Sequence, residues 1–135
     1  MTSTQPNGGA GTGRVFGFGV VGCGVIAPHH ARAISQLPNA RLVAATDVVA
    51  EKAQAYATAN SCEVAADLDA LCARDDVDVV SVCVPSGLHA EIGIRAAAAG
   101  KHLVVEKPID VTLAAADNLI AAVEAAKVTM TVISQ

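Results

Sequence analysis

The residue types that do chemistry fall in four places along this sequence: residues 22–27, Asp47, residues 84–89 and the tripeptide Glu106-Lys107-Pro108. The first of these, Gly22-Cys23-Gly24-Val25-Ile26-Ala27, is a G-x-G-x-x-A run. Glycines so spaced permit a tight turn and let backbone N–H groups approach a pyrophosphate, provided that a strand precedes the run and a helix follows it. An overlapping pattern, Gly17-Phe18-Gly19-Val20-Val21-Gly22, fits G-x-G-x-x-G. That earlier register has hardly any strand before it and would start a helix across Gly22 and Gly24. The later register follows the strand-like residues 15–21 and leads into a helix opening near Pro28, so Gly22 starts the loop.

Asp47 lies roughly 25 residues after Gly22, at the tip of the second predicted strand. A carboxylate there accepts hydrogen bonds from adenosine ribose hydroxyls and repels a 2′-phosphate, which favours NAD over NADP. The bland alternatives are a plain strand-to-helix turn for the glycines and an N-cap for Asp47. A methyltransferase loop for S-adenosylmethionine is disfavoured, because the places where an acidic residue commonly precedes such a loop hold Val20 and Val21.

Positioning these residues requires a frame, and the hydrophobic pattern supplies one. Short apolar runs alternate with Ala-rich amphipathic stretches, the mark of a parallel sheet with helices on both faces. Strands are predicted over 15–21, 41–46, 63–65, 77–84, 102–106 and 128–133. Residues 77–84 (VDVVSVCV) are nearly continuous and β-branched, as in a central strand buried on both faces. Helices are predicted from about Pro28 to before Pro38, over 49–59, over 67–74 with Asp67 as N-cap, and over 89–99 with Gly100 as the C′ residue. In the last helix Leu113, Ala116, Ile120 and Val123 form the expected apolar stripe, with Asp117, Glu124 and Lys127 elsewhere on the wheel. Six strands with right-handed crossovers give an α/β, doubly wound, single-domain fold of order 3-2-1-4-5-6 over residues 15–135, after a polar, Gly-rich lead-in over 1–14.

Composition narrows the function classes. The 135 residues suit one domain, and at 53% hydrophobic and 16% charged they are far from the disordered class. No run approaches the roughly 18 apolar residues of a membrane span. A net charge of −4 and 2% aromatic residues leave neither a basic patch nor a stacking platform for nucleic acid. Cys23, Cys62, Cys72 and Cys83 form no C-x-x-C pair and lack a His at zinc spacing, so no metal site is expected. Reduced thiols and a lead-in without an apolar middle point to the cytoplasm.

In an open parallel sheet, ligands bind where strands one and four part. Strand one ends in residues 22–27, strand four in Pro85-Ser86-Gly87-Leu88-His89 and strand five in Glu106-Lys107-Pro108, so these strand ends converge on one crevice. The segments GCGVIA, VPSGLH and AAAAGKHLVVEKP resemble the glucose-fructose oxidoreductase, inositol dehydrogenase and rhizopine-catabolism family, called Gfo/Idh/MocA. The resemblance covers nearly everything after the lead-in, and its most specific part is G-K-H-x-x-x-E-K-P over residues 100–108. It implies that Lys107 stands beside the nicotinamide and the substrate hydroxyl as the catalytic lysine, that Glu106 lies near the nicotinamide ribose, and that the Lys107–Pro108 bond is often cis. His89 matches a position of the family's cofactor-side signature, and Ser86 stands where relatives often carry Asn. The cofactor-binding set is therefore Gly22, Cys23, Gly24, Val25, Ile26, Asp47, Val84, Pro85, Ser86, His89, Glu106, Lys107 and Pro108. In relatives the general base is a His of a second, substrate-binding domain, which is expected to be missing from this chain.

Two functions follow as expectations. One is the NAD-binding domain of an oxidoreductase that moves hydride between NAD and a ring hydroxyl of a sugar, sugar nucleotide or cyclitol, inactive alone and compatible with a homo-oligomer. The other is a non-catalytic NAD(H)-binding regulatory module. His29 and His30 open the first helix, where His29 reads as surface and His30 as a neutral neighbour of the cofactor.

Overall fold

The computed structural model describes residues 14–133; the rest of the lead-in, residues 1–13, lies outside them. The chain alternates strand and helix as β1 (Phe16–Val21), α1 (Ala27–Ser35), β2 (Ala40–Thr46), α2 (Ala50–Asn60), β3 (Glu63–Val64), α3 (Leu68–Cys72), β4 (Val79–Val82), α4 (His89–Ala98), β5 (His102–Val105), α5 (Leu113–Ala126) and β6 (Met130–Val132). A single 3-10 turn, Ser86–Leu88, leads into α4. Every strand pairing is parallel and the order is β3-β2-β1-β4-β5-β6, so the crossover switches sides between β1 and β4. None of the helices is long and apolar enough to cross a membrane, among the described residues.

Two apolar layers sandwich the sheet. On one face Val20 and Ala45 pack with Ala27 and Ala31 of α1 and Tyr56 of α2. On the other, Val80, Val82, Leu103 and Val105 pack with Leu68 and Leu71 of α3, Ala90, Ala96 and Ala97 of α4, and Leu119 and Val123 of α5. The layers explain the first two glycines of the overlapping pattern. A Cβ on Gly17 would stand 1.7 Å from the Asp76 carbonyl oxygen, and one on Gly19 would stand 2.9 Å from Leu71 Cδ1. These glycines let the chain before β4, and α3, lie close on β1; they serve packing.

The helix ends follow the expected chemistry at several places. Pro28 stands in the first turn of α1, and the Asp67 carboxylate accepts from the Ala70 N–H at 2.8 Å as N-cap of α3. Gly100 closes α4 with φ +82°. The structure departs from expectation in α5, where Leu113 and Ile120 are exposed and the buried residues are Leu119 and Val123. Its seam is fixed by α4: Gly93 lacks a side chain at the point where Leu119 Cδ1 would come within 2.7 Å of a Cβ. Leu119 enters that notch and turns the stripe away from Leu113.

Candidate functional site

The loop from β1 to α1 is shaped by Gly22. Its φ is +93°, a conformation that L side chains rarely adopt, and a Cβ there would stand 2.7 Å from the Cys83 carbonyl oxygen at the end of β4. The Gly22 N–H donates to the Thr46 carbonyl at 2.9 Å, so the loop leaves β1 wedged between the ends of β2 and β4. Beyond it the loop opens: nothing lies within 4 Å of a Cβ on Gly24, and Val25 is 92% exposed. The N–H groups of Gly24, Val25 and Ile26 have no acceptor among the described residues. The first turn of α1 carries no acidic side chain, and its N-cap, Ile26, makes no side-chain cap. Free N–H groups at the positive end of a helix dipole are an anion site in waiting.

Asp47 is held by the backbone on both sides. Its Oδ2 accepts from the Cys23 N–H at 2.7 Å and its Oδ1 from the Val49 N–H at 2.8 Å. Two donors fix the carboxylate plane, and each oxygen keeps a further acceptor position. Cys23 therefore contributes its backbone, while its half-buried thiol only nears the Thr46 carbonyl at 3.6 Å. Burial first, and then the neighbouring Asp47 carboxylate, push the Cys23 thiol up to about 12. Burial does the same to Cys83, again to about 12, with Glu106 adding to the effect. All four cysteines are free thiols.

These groups border a cavity of about 760 Å³ at the carboxyl ends of β1, β2 and β4. Among the expected cofactor residues it is lined by Gly22, Gly24, Val25, Asp47, Val84 and Pro85. Its wall also includes apolar Leu68, Leu88 and Ile92, and the cations Lys52 and Arg95, which sequence reasoning did not single out. Ser86, His89 and the tripeptide Glu106-Lys107-Pro108 are not part of that lining.

The tripeptide follows β5, next to β4 in the sheet, and so extends the crevice beyond the cavity. Lys107 is exposed and makes no hydrogen bond or ion pair with the described residues, and the Lys107–Pro108 peptide is cis. Its neighbours are anchored. His30 of α1 is buried, and its Nε2 donates to Glu106 Oε2 at 2.5 Å. His89 is 1% exposed, with Nδ1 2.7 Å from the Pro108 carbonyl and Nε2 2.8 Å from the Val84 carbonyl. Asp110 adds a third tie: Oδ2 accepts from the Ala90 N–H at 2.8 Å and Oδ1 from the Val111 N–H at 2.6 Å. These two N–H bonds hold its carboxyl below the usual carboxylate range.

The sequence reading had His30 as a neighbour of the cofactor, and the structure seats it on Glu106; Asp110 it did not single out. A signal for His30 existed, since it shares the helical stripe of Ala27, Ala31 and Ile34, all buried, while His29 falls off it. Its partner lies 76 residues away, which no local pattern reveals.

Comparison with known proteins agrees with this geometry. Inositol 2-dehydrogenase of Rhizobium meliloti (strain 1021) is 45% identical over 93 residues, 69% of this chain and 28% of that protein. A dTDP-3,4-didehydro-2,6-dideoxy-alpha-D-glucose 3-reductase of Streptomyces violaceoruber is 39% identical over 79% of this chain and 31% of its own length. The crystal structure of the WlbA dehydrogenase from Bordetella pertussis, in complex with NADH and UDP-GlcNAcA, superposes with a TM-score of 0.85 at 34% identity, over 89% of this chain and 35% of that one. The chain thus spans about a third of the length of these relatives. Residues 16–134 match the Gfo/Idh/MocA model, described as an oxidoreductase family with an NAD-binding Rossmann fold, and the chain belongs to that family.

Proposed function

We propose that this chain is the NAD-binding domain of a dehydrogenase that transfers hydride between NAD and a ring hydroxyl of a sugar, sugar nucleotide or cyclitol. The observation that carries the reading is the meeting, at one crevice, of three unpartnered loop N–H groups with a carboxylate held by two backbone donors. In this reading the N–H groups of Gly24, Val25 and Ile26 take the pyrophosphate. Asp47 takes the adenosine ribose diol and disfavours the 2′-phosphate of NADP. Val84, Pro85 and Ser86 wall the path toward Glu106 and Lys107.

When bound, NAD supplies a hydride acceptor against the C–H bond of the alcohol. The chain's own contribution to chemistry is Lys107, whose ammonium would lie beside the reacting oxygen and stabilise the developing alkoxide. With no partner among the described residues, its three hydrogens are open to that role. The relatives named above, an inositol dehydrogenase and enzymes of nucleotide-linked sugars, support the substrate class. The reading expects cofactor binding without turnover from this chain on its own.

Calorimetric titration of the chain with NAD and NADP tests it. NAD should bind at least tenfold more tightly, and Asp47→Ala should weaken NAD and narrow the gap. Equal affinity for both cofactors in the native chain would refute the role given to Asp47. Turnover by the chain on inositol or sugar-nucleotide panels would refute the expectation of inactivity.

A further inference from the structure

Lys107 is the exposed middle residue of a tripeptide whose flanking residues are both gripped by histidines. On one side His30, from α1, donates to the Glu106 carboxylate at 2.5 Å. On the other, His89, from the start of α4, reaches the Pro108 carbonyl at 2.7 Å with one nitrogen and the Val84 carbonyl at 2.8 Å with the other. The two helices lie on opposite faces of the sheet, so the segment is held from both. We propose that His30 and His89 are positioning residues that fix the Glu106–Pro108 segment and thereby set where Lys107 stands.

The physical case rests on what each contact replaces. The segment follows the last residue of β5: the Glu106 N–H still donates to the Val82 carbonyl at 3.4 Å, but Lys107 and Pro108 donate no backbone bond to the described residues, so beyond Glu106 side chains do the work of strand pairing. Both rings are almost fully withdrawn from water, at 9% and 1% exposed, and a buried ring with a satisfied partner has one low-energy orientation. His30 binds Oε2 of Glu106, and Oε1 has no partner among the described residues. That oxygen is available to a diol at the nicotinamide end of the crevice. His89 joins the ends of β4 and β5 through two carbonyls, so that the walls on either side of Lys107 move as one piece. The contacts of both rings are to the protein, to Glu106 and to the Val84 and Pro108 carbonyls, so each acts through the segment.

This inference rests on the reading of Lys107 and the nicotinamide end given above, and its test separates the two. The first readout is the backbone order parameter of the Lys107 amide, measured by NMR relaxation on the unliganded chain. In the native chain it should sit near the rigid value of about 0.85, and in His30→Ala and His89→Ala it should fall toward about 0.6. His30→Gln, which keeps a donor for Glu106, should restore most of the rigidity and guards against misfolding of the alanine variants. The second readout is affinity for NAD against ADP, which carries the adenosine and pyrophosphate but lacks the nicotinamide ribose. His30→Ala should weaken NAD about tenfold and ADP by less than twofold. A Lys107 amide as rigid in the His30→Ala/His89→Ala double variant as in the native chain would overturn the proposal. So would equal losses of NAD and ADP affinity, which mark general damage. If the native chain binds neither ligand, the cofactor reading fails, and the order parameter alone still decides whether the histidines hold the segment.

Discussion

At the glycine-loop end of the crevice the groups offered to a ligand belong to the backbone, apart from Asp47, and Asp47 itself is oriented by two backbone N–H groups. At the other end they are side chains on a three-residue segment tied by His30, His89 and Asp110. The first end is therefore sensitive to the path of the chain and tolerant of side-chain identity, and the second is the reverse. A backbone-built site suits the constant part of a dinucleotide. A side-chain-built site suits the reacting end of the proposed function, where a proton and a charge must be placed.

The sharpest way to break the first end is Gly22→Ala. The methyl group would meet the Cys83 carbonyl oxygen at 2.7 Å and carbon at 2.8 Å, and the residue would have to keep φ near +93°. Backbone cannot yield as a flexible side chain would, so strain and overpacking together should cost about 4 kcal/mol of stability. Urea denaturation should show this as a large drop in midpoint, and any folded remainder should lose NAD binding. A variant with the native midpoint would mean that the loop takes another path.

The corresponding break at the second end is Lys107→Ala, read in an enzyme that carries this domain and turns over. In its proposed role the Lys107 charge acts on developing alkoxide, so its loss should lower kcat roughly 100-fold, about 2.7 kcal/mol, while leaving NAD affinity within about twofold. Lys107→Arg should not rescue it, because a guanidinium keeps its proton and its planar fork needs different geometry. Unchanged kcat in both variants would reduce Lys107 to a solvated loop lysine. The split between kcat and cofactor affinity is the contrast between the two ends in kinetic form.

Asp110 sharpens the comparison through pH. Its carboxyl is depressed in the folded chain by the Ala90 and Val111 N–H groups, so the folded state prefers the ionised form more than the unfolded state does. The stability it contributes is complete above the ordinary carboxylate range, about pH 4, and is lost as pH falls through the lower folded value. Asp110→Asn should thus lower Tm modestly at pH 7, and the gap to the native chain should close toward pH 3. A gap that persists at acid pH would assign the effect to shape rather than charge.

How much of this was legible from sequence differs between the ends in the same way. The strand order, the register of the glycine loop and the place of Asp47 were all readable, because each follows from local periodicity and spacing along a few dozen residues. The glycine ambiguity resolves cleanly: Gly17 and Gly19 answer to packing by Asp76 and Leu71, and Gly22 to the turn. The segment 106–108 was found by its motif, but its ties were not. His30 and Glu106 lie 76 residues apart and Ala90 and Asp110 20 apart, and each pair meets only through the packing of whole elements. In α5 Val123 is buried as expected, but the stripe missed Leu119 and misplaced Leu113 and Ile120 for a related reason, since the notch at Gly93 belongs to another helix. Periodicity narrows a helix to a broad apolar side; the partner selects the seam.

The smallest effect is expected at Cys23, and it tests whether the first end is truly built by backbone. Cys23 stands in the glycine loop, within reach of both Asp47 and Thr46, so a reader of side chains would assign its thiol a part in binding. Its contribution to Asp47, however, is the N–H at 2.7 Å, which survives any substitution that keeps the loop's path. The thiol's own contact, 3.6 Å to the Thr46 carbonyl, is a weak sulfur donor at the edge of hydrogen-bond range. Cys23→Ala should therefore change NAD affinity by less than about twofold, and should cost only about 1 kcal/mol of stability for the lost half-buried sulfur. The same geometry sets the thiol's chemistry. Raised to about 12 by burial and by Asp47, it stays protonated at pH 8, so iodoacetamide should label it far more slowly in the folded chain than after denaturation. Rapid labelling of Cys23 in the folded chain, or a tenfold loss of NAD binding in Cys23→Ala with stability retained, would show a side chain at work in a loop whose proposed role rests on its N–H groups.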